Sequence, residues 1–410
     1  MSLRKALAFA AGAACLASGA ARADGSASTL FDSRPYVRDG GYQESPIFES
    51  FSLFARSEGN DWLQDVRISA RGWTRLTLGP PFDDHRTAGD VDSLFLEGRL
   101  LKRHLLVRIG RQLQTGGAAR ATQFDGLSVR GVAAYGFGAE VYGGAPVQPR
   151  FAVSNGDFIT GGRVFWNHGY DSELGASYVY ALRRGYVARN DFALDGSYTP
   201  LRAVTVSGIA QWSVEEARLA EAKLQALWQI TQQITFTADL QRTEPDLFLD
   251  RDSIFAVFAE EVRNEAGAEL IWRALQPLTL SADWHWLNVE GGFGGRGGTR
   301  ATYRTPQGGS YGLELRVLSE PDNGYKQARV FATRRVRQFL LTLDLDAYWL
   351  EQQINHQKNS IMATGTCSWA LSPRWDAMLA GSLGTTPYFE RRVEVIARLT
   401  YKFGLPGGFK

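Results

Sequence analysis

A chain of 410 residues carrying 45 Lys and Arg against 43 Asp and Glu has a formal net charge of +2, so charge makes no case for nucleic-acid binding. Only Cys367 lies beyond the N-terminal apolar run, which excludes an intrachain disulfide and a cysteine-based metal site. The sequence is rich in glycine (44 residues) and aromatics (12%), and past that run it has no apolar stretch long enough for a membrane helix.

At the N-terminus, Arg4 and Lys5 precede an apolar run over residues 6–19, and Ala21, Arg22 and Ala23 follow it. That order reads as a secretion signal over residues 1–23 with cleavage before Asp24. Residues 24–48 are polar and are expected to form a mobile periplasmic lead-in. From there apolar and polar residues alternate with a period of two, the signature of strands with one apolar and one polar face. Over residues 66–78, Val66, Ile68, Ala70 and Leu76 oppose Arg67, Ser69, Arg71 and Arg75. Leu278, Leu280, Ala282, Trp284 and Trp286 oppose Thr279, Ser281, Asp283 and His285 in the same way, as do Leu341, Leu343 and Leu345 against Thr342, Asp344 and Asp346.

These segments run to about nine to thirteen residues, the length that crosses a bilayer at a tilt; strands of soluble proteins average about five or six. Tight turns at 102–103, 199–202, 274–277 and 371–373 alternate with longer polar stretches at 79–90, 243–264 and 288–309. Short turns on one side and long loops on the other predict an all-β, transmembrane, antiparallel up-and-down barrel over residues 49–403, of about 18 strands (roughly 16–20), with a short tail at 404–410. Most tryptophans fall near strand ends on the apolar face, where a membrane–water boundary favours them.

Gly110-Arg111-Gln112 at the end of one segment, a glycine-bearing loop, Arg120, and Phe124-Asp125-Gly126 opening the next resemble the alginate-export-like group of outer-membrane barrels. The resemblance implies a channel for a polar or anionic polysaccharide, coupled to periplasmic polysaccharide-export proteins. Read from the residues themselves, Gly110 and Gly126 permit tight packing while Arg111 and Asp125 pair to fix the hairpin, and both readings stay open. The last segment ends in Tyr401-Lys402-Phe403, which resembles the terminal signal taken by the barrel-assembly machinery.

If the apolar face meets lipid and lipopolysaccharide, the inner face carries Arg67, Arg71, Arg75, Glu97, Arg99, Arg108, Arg130, Glu140, Asp239, Asp283, His285, Glu314, Arg316, Asp344 and Asp346. Arginines dominate the early segments and carboxylates the later ones, an arrangement that sets a field across a hydrated lumen. Internal pairing of these charges is the other reading. The expected function is export or passage of a polar polysaccharide. The alternatives are a general or nutrient-selective diffusion porin and a scaffold barrel in a surface complex.

An enzyme is not expected. Asp83-Asp84-His85 with Asp283 and His285 resembles the site of omptin-type proteases, but the rest of that pattern is missing, as is a Gly-x-Ser-x-Gly elbow. The five histidines have no metal-ligand spacing, so the sequence predicts neither metal nor cofactor.

Overall fold

The structure is a computed structural model that describes residues 22–35, 43–58, 62–78, 86–147, 156–168, 172–248, 262–289, 291–321 and 323–404. The signal segment up to residue 21, Asp83-Asp84-His85 and the end of the tail lie outside the described residues.

The strands in chain order begin with β1 (Arg22–Pro35), β2 (Gln43–Glu58), β3 (Leu63–Leu78), β4 (Thr87–Leu100), β5 (Leu105–Gln114), β6 (Thr122–Val132), β7 (Phe137–Pro146) and β8 (Phe158–His168). There follow β9 (Ser172–Arg183), β10 (Tyr186–Leu201), β11 (Val204–Ser213), β12 (Arg218–Gln229), β13 (Ile234–Thr243), β14 (Arg263–Leu275) and β15 (Leu278–Val289). The ring is completed by β16 (Gly292–Arg304), β17 (Ser310–Ser319), β18 (Gly324–Val336), β19 (Phe339–Ile354), β20 (Gln357–Ser372), β21 (Trp375–Thr386) and β22 (Phe389–Gly404). Each strand pairs antiparallel with the next, and β1 pairs with β22, Gly25 opposite Phe403, so one 22-stranded sheet closes on itself.

The all-β antiparallel barrel is as expected, but the count of 22 exceeds the expected range. Four strands account for the difference, and three of them hide their alternation. β1 lies in the stretch read as a mobile lead-in, where small polar residues mask the period; it is tied into the sheet on both edges. β2 starts in that stretch too. β8 contains Gly161 and Gly162, and β16 contains Gly294, Gly295, Gly297 and Gly298, so neither has side chains at every second position to read. Residues 288–309, expected as one long outer loop, therefore hold the whole of β16, and the ring of Trp284 lies over its outward glycines.

The expected tight turns sit between β4 and β5, β10 and β11, β14 and β15, and β20 and β21, all on one rim. Alternation within each strand leaves Ile109, Leu127, Leu313, Leu315, Leu341, Leu343 and Leu345 exposed on the outer face. Such a continuous apolar belt has no place in water and suits hydrocarbon. Near the short-turn rim, outward aromatics pair across strands, Phe339 with Trp369 (6.2 Å) and Trp375 with Tyr401 (4.7 Å), as in an interfacial girdle.

At one place the wall is too close-packed for a side chain. Gly126 in β6 faces Gly144 in β7, and a Cβ on Gly126 would lie 2.8 Å from the Gly144 Cα. Gly126→Val is expected to cost about 1–3 kcal/mol through overpacking. Urea unfolding in lipid vesicles checks it, and an unchanged midpoint would rule out the close approach.

Candidate pore lining

The inner face is identified by register: it is the face opposite the exposed leucines. On the β2–β5 wall two buried carboxylates organise the arginines. Asp65 accepts from Arg56 Nε at 2.8 Å and is paired with Arg67 at 2.9 Å. Glu97 accepts from Arg108 at 2.7 Å, with Arg67 at 3.7 Å and Arg99 at 3.8 Å. Four guanidinium groups thus share two carboxylates, leaving this wall positive. Four residues along from Arg67, Arg71 is exposed and has no acidic partner among the described residues; Arg75, half-buried, continues the row. Arg130 stands opposite Glu140 in β7 with its guanidinium over the Phe165 ring at 4.4 Å.

β14 stands half of the 22-strand ring from β3, and around it the charges of both signs are mixed. Asp239, Glu265, Glu269, Asp283, Glu314, Asp344 and Asp346 face inward on β13–β19, and Arg263, Arg296, Arg300, Arg304, Arg316, Arg329 and Arg335 share that face with them. Glu314 is shared by Arg316 and by Arg329 at 3.6 Å, while Arg329 also donates to Asp344 at 2.9 Å. Asp346 accepts from Gln327 at 2.9 Å. His285 Nε2 donates to Asp239 at 3.1 Å, and its Nδ1 lies 3.8 Å from Asp283. A basic wall facing one of mixed, paired charges still sets a field across the lumen that orients dipolar solutes.

The segment with the export-like motif divides between the two faces. Arg111 and Asp125 point outward, on the side of Ile109 and Leu127, and are joined by two parallel bonds of 2.8 and 2.9 Å. Arg111 also reaches Asp90 at 3.1 Å and the Val91 carbonyl at 2.9 Å. Gly110 takes a φ of 119°, and a Cβ there would run into the Leu94 carbonyl. Gln112 points inward and is fully buried, donating to the Gly126 carbonyl at 3.2 Å and accepting from Ser128 at 2.8 Å.

Between β5 and β6 the chain leaves the wall and folds into the lumen. A short turn, Gly117–Ala119, packs Ala118 and Ala119 onto Phe124, Tyr142, Ile159, Val179, Ala181 and Ala193. Polar clamps from distant strands fix it. Ala118 N donates to Ser177 Oγ at 2.8 Å. Arg189 donates to the carbonyls of Ala118 and Ala119 and, at 3.0 Å, to Thr122 Oγ1. Arg120 donates to Gln211 at 2.6 Å and pairs with Glu221 at 3.2 Å. Burial pushes the Arg120 guanidinium down to about 10, with Glu221 opposing, so it stays charged at neutral pH. Asp191, buried beneath, accepts from Gln211 at 2.8 Å and from Arg189 at 3.2 Å. The loop thereby spans from β5–β6 to β9–β12 and narrows that side of the lumen.

Sequence reasoning singled out Arg120 and Phe124 but missed Ser177, Arg189, Asp191 and Gln211, which hold the loop from other strands. Arg189 alternates in phase with the inward Asp191 and Ala193, so the sequence shows its face but not the loop it holds.

No protein-family description matches the chain. No curated protein matches it either. Solved structures do. A mutant of the ferric enterobactin receptor PfeA from Pseudomonas aeruginosa superimposes with a TM-score of 0.51 at 10% identity, covering 93% of this chain and 80% of that one. The translocation pore of the P pilus usher PapC gives 0.50 at 9%, covering 93% and 99%. OccAB4 of Acinetobacter baumannii gives 0.49 at 10%, covering 94% and 98%. At such identities the first two likenesses establish the barrel fold and carry no cargo with them.

Proposed function

We propose that the chain is a diffusion channel of a bacterial outer membrane, passing small polar or charged solutes through a hydrated lumen. The observation that supports this most is an inner face dense in charge, basic on the β2–β5 wall and mixed opposite it, within a shell whose outside is apolar. On this reading residues 1–23 direct secretion and the outer belt meets lipid and lipopolysaccharide. Tyr401 and Phe403 present the aromatic strand end to the assembly machinery.

Diffusion takes precedence over polysaccharide export for two reasons. Arg111 and Asp125, central to the export-like motif, lie on the outer face and reach no cargo. The inward arginines are interrupted by Asp65 and Glu97, so they form no unbroken basic track for a polyanion. Enzymatic chemistry has no part in this reading.

Purified protein in a planar bilayer is expected to show stepwise conductance without any partner. Permanent silence would overturn the diffusion channel in favour of a scaffold, and opening only with a periplasmic partner would favour export. Arg71→Ala tests the walls. Arg71 is exposed and has no acidic partner among the described residues, so its loss is expected to change stability by no more than about 0.5 kcal/mol. It is expected to move the reversal potential in a salt gradient towards cation preference, and Arg71→Glu to move it further. Identical selectivity in all three proteins would exclude the basic wall from ion choice.

A further inference from the structure

On the wall opposite β3 three side chains from three neighbouring strands converge. The donor atoms of Asp239 (β13), Glu265 (β14) and His285 (β15) all lie within 4.8 Å of one another. We infer that this cluster is a binding site for a divalent transition cation of the Zn2+ class on the lumen wall.

The imidazole is placed for it. His285 stands opposite Gly267 in the sheet, and the absence of a side chain there lets the ring lie flat across β14. A Cβ on Gly267 would occupy the space of the ring itself. Only by crossing that strand does Nε2 come within 3.1 Å of Asp239 on β13. To take a cation, Nε2 must be the bare nitrogen, with the proton of the neutral ring on Nδ1. Nδ1 is buried with no hydrogen-bond partner, and Asp283 Oδ2 lies 3.8 Å away, ready to accept from it. A carboxylate behind a ligating imidazole is the usual outer support of such a ligand, fixing its tautomer and raising its basicity.

The carboxylates supply the charge. Asp239 has His285 as its ion-pair partner, while Glu265 is buried and held by Arg296 through Oε1, with Arg263 3.6 Å from Oε2. Arg296 thus fixes one oxygen and aligns the other. A tetrahedral ion with bonds of about 2.1 Å sets its donors about 3.4 Å apart, so the three groups draw in on binding, with water completing the shell. One imidazole with two carboxylates suits Zn2+, Co2+ or Ni2+ and discriminates against Mg2+, which takes oxygen ligands and keeps its water. The approach is open: Asp239, Asp283 and His285 line a niche of about 280 Å³ that also holds Glu269 and Arg296. Spacing along the sequence concealed the site because each ligand comes from a different strand.

Titration of the full chain in detergent with ZnCl2, followed by calorimetry in a non-chelating buffer, tests the assignment without any need for conductance. A silent barrel and a missing site are therefore distinguishable. Saturable binding is expected, weakened at least about tenfold in His285→Ala and Asp239→Asn, about tenfold in Asp283→Asn, and unaffected by excess Mg2+. The mobility shift on heating reports folding of each variant. Asp283→Asn, which removes no ligand, carries the test if His285→Ala does not fold. Absence of saturable Zn2+ binding, wild-type affinity in folded His285→Ala or in Asp283→Asn, or displacement by Mg2+ overturns the site.

Discussion

Replacing Arg189 with alanine is expected to destabilise the barrel by about 3 kcal/mol and to raise its conductance. The guanidinium holds the inward loop by the carbonyls of Ala118 and Ala119 and neutralises Asp191, whose side chain is 5% exposed. Its loss strands a buried carboxylate with Gln211 as its remaining neutral donor. Breaking a buried pair from one side costs more than the pair itself contributes, because the survivor keeps its desolvation penalty. Asp191→Asn added to Arg189→Ala should recover part of the stability, since no charge is then left unpaired, while the loop stays released. Urea titration and single-channel recording give the two readouts. Equal conductance in wild type and Arg189→Ala would show that the loop does not limit the lumen.

Phe124→Ala is expected to cost about 3–5 kcal/mol through a different cause. Phe124 is fully buried, its ring 5.6 Å from that of Tyr142, and it is the floor on which Ala118 and Ala119 rest. Truncation leaves a cavity that small neighbours such as Ala181 and Ala193 cannot refill. Phe124→Leu keeps most of the volume and should cost less than half as much. Combined with Arg189→Ala, the loss should fall short of the sum, because both side chains secure the same loop. Strict additivity in the double-mutant cycle would mean that packing and clamp act on separate structures.

How much of this was legible beforehand depended on how each residue signals. Aliphatic residues alternating with arginines or aspartates, as in β3 and β19, announce both the strand and the direction of each face. β16 could not be read that way, because glycines show no face. The side of Arg111 was also legible, since alternation from the inward Arg108 puts it outside; the export-like motif drew attention to its chemistry instead. The loop clamp was not legible. Arg189 alternates in phase with Asp191, but its partners are set by cross-strand neighbours that follow from pairing rather than from spacing. The same holds for His285 and Asp239.

The pairing of β1 with β22 also governs how the barrel is made. These strands stand at opposite ends of the described chain, so the contact that closes the ring is the most non-local in the molecule, and loop-closure entropy makes such contacts late and slow. Every other pairing can form between sequence neighbours as they appear. Until the last strand docks, two edges offer unsatisfied N–H and C=O groups to any other strand nearby. A chain halted before β22 is therefore not a smaller barrel but an open sheet with two adhesive edges.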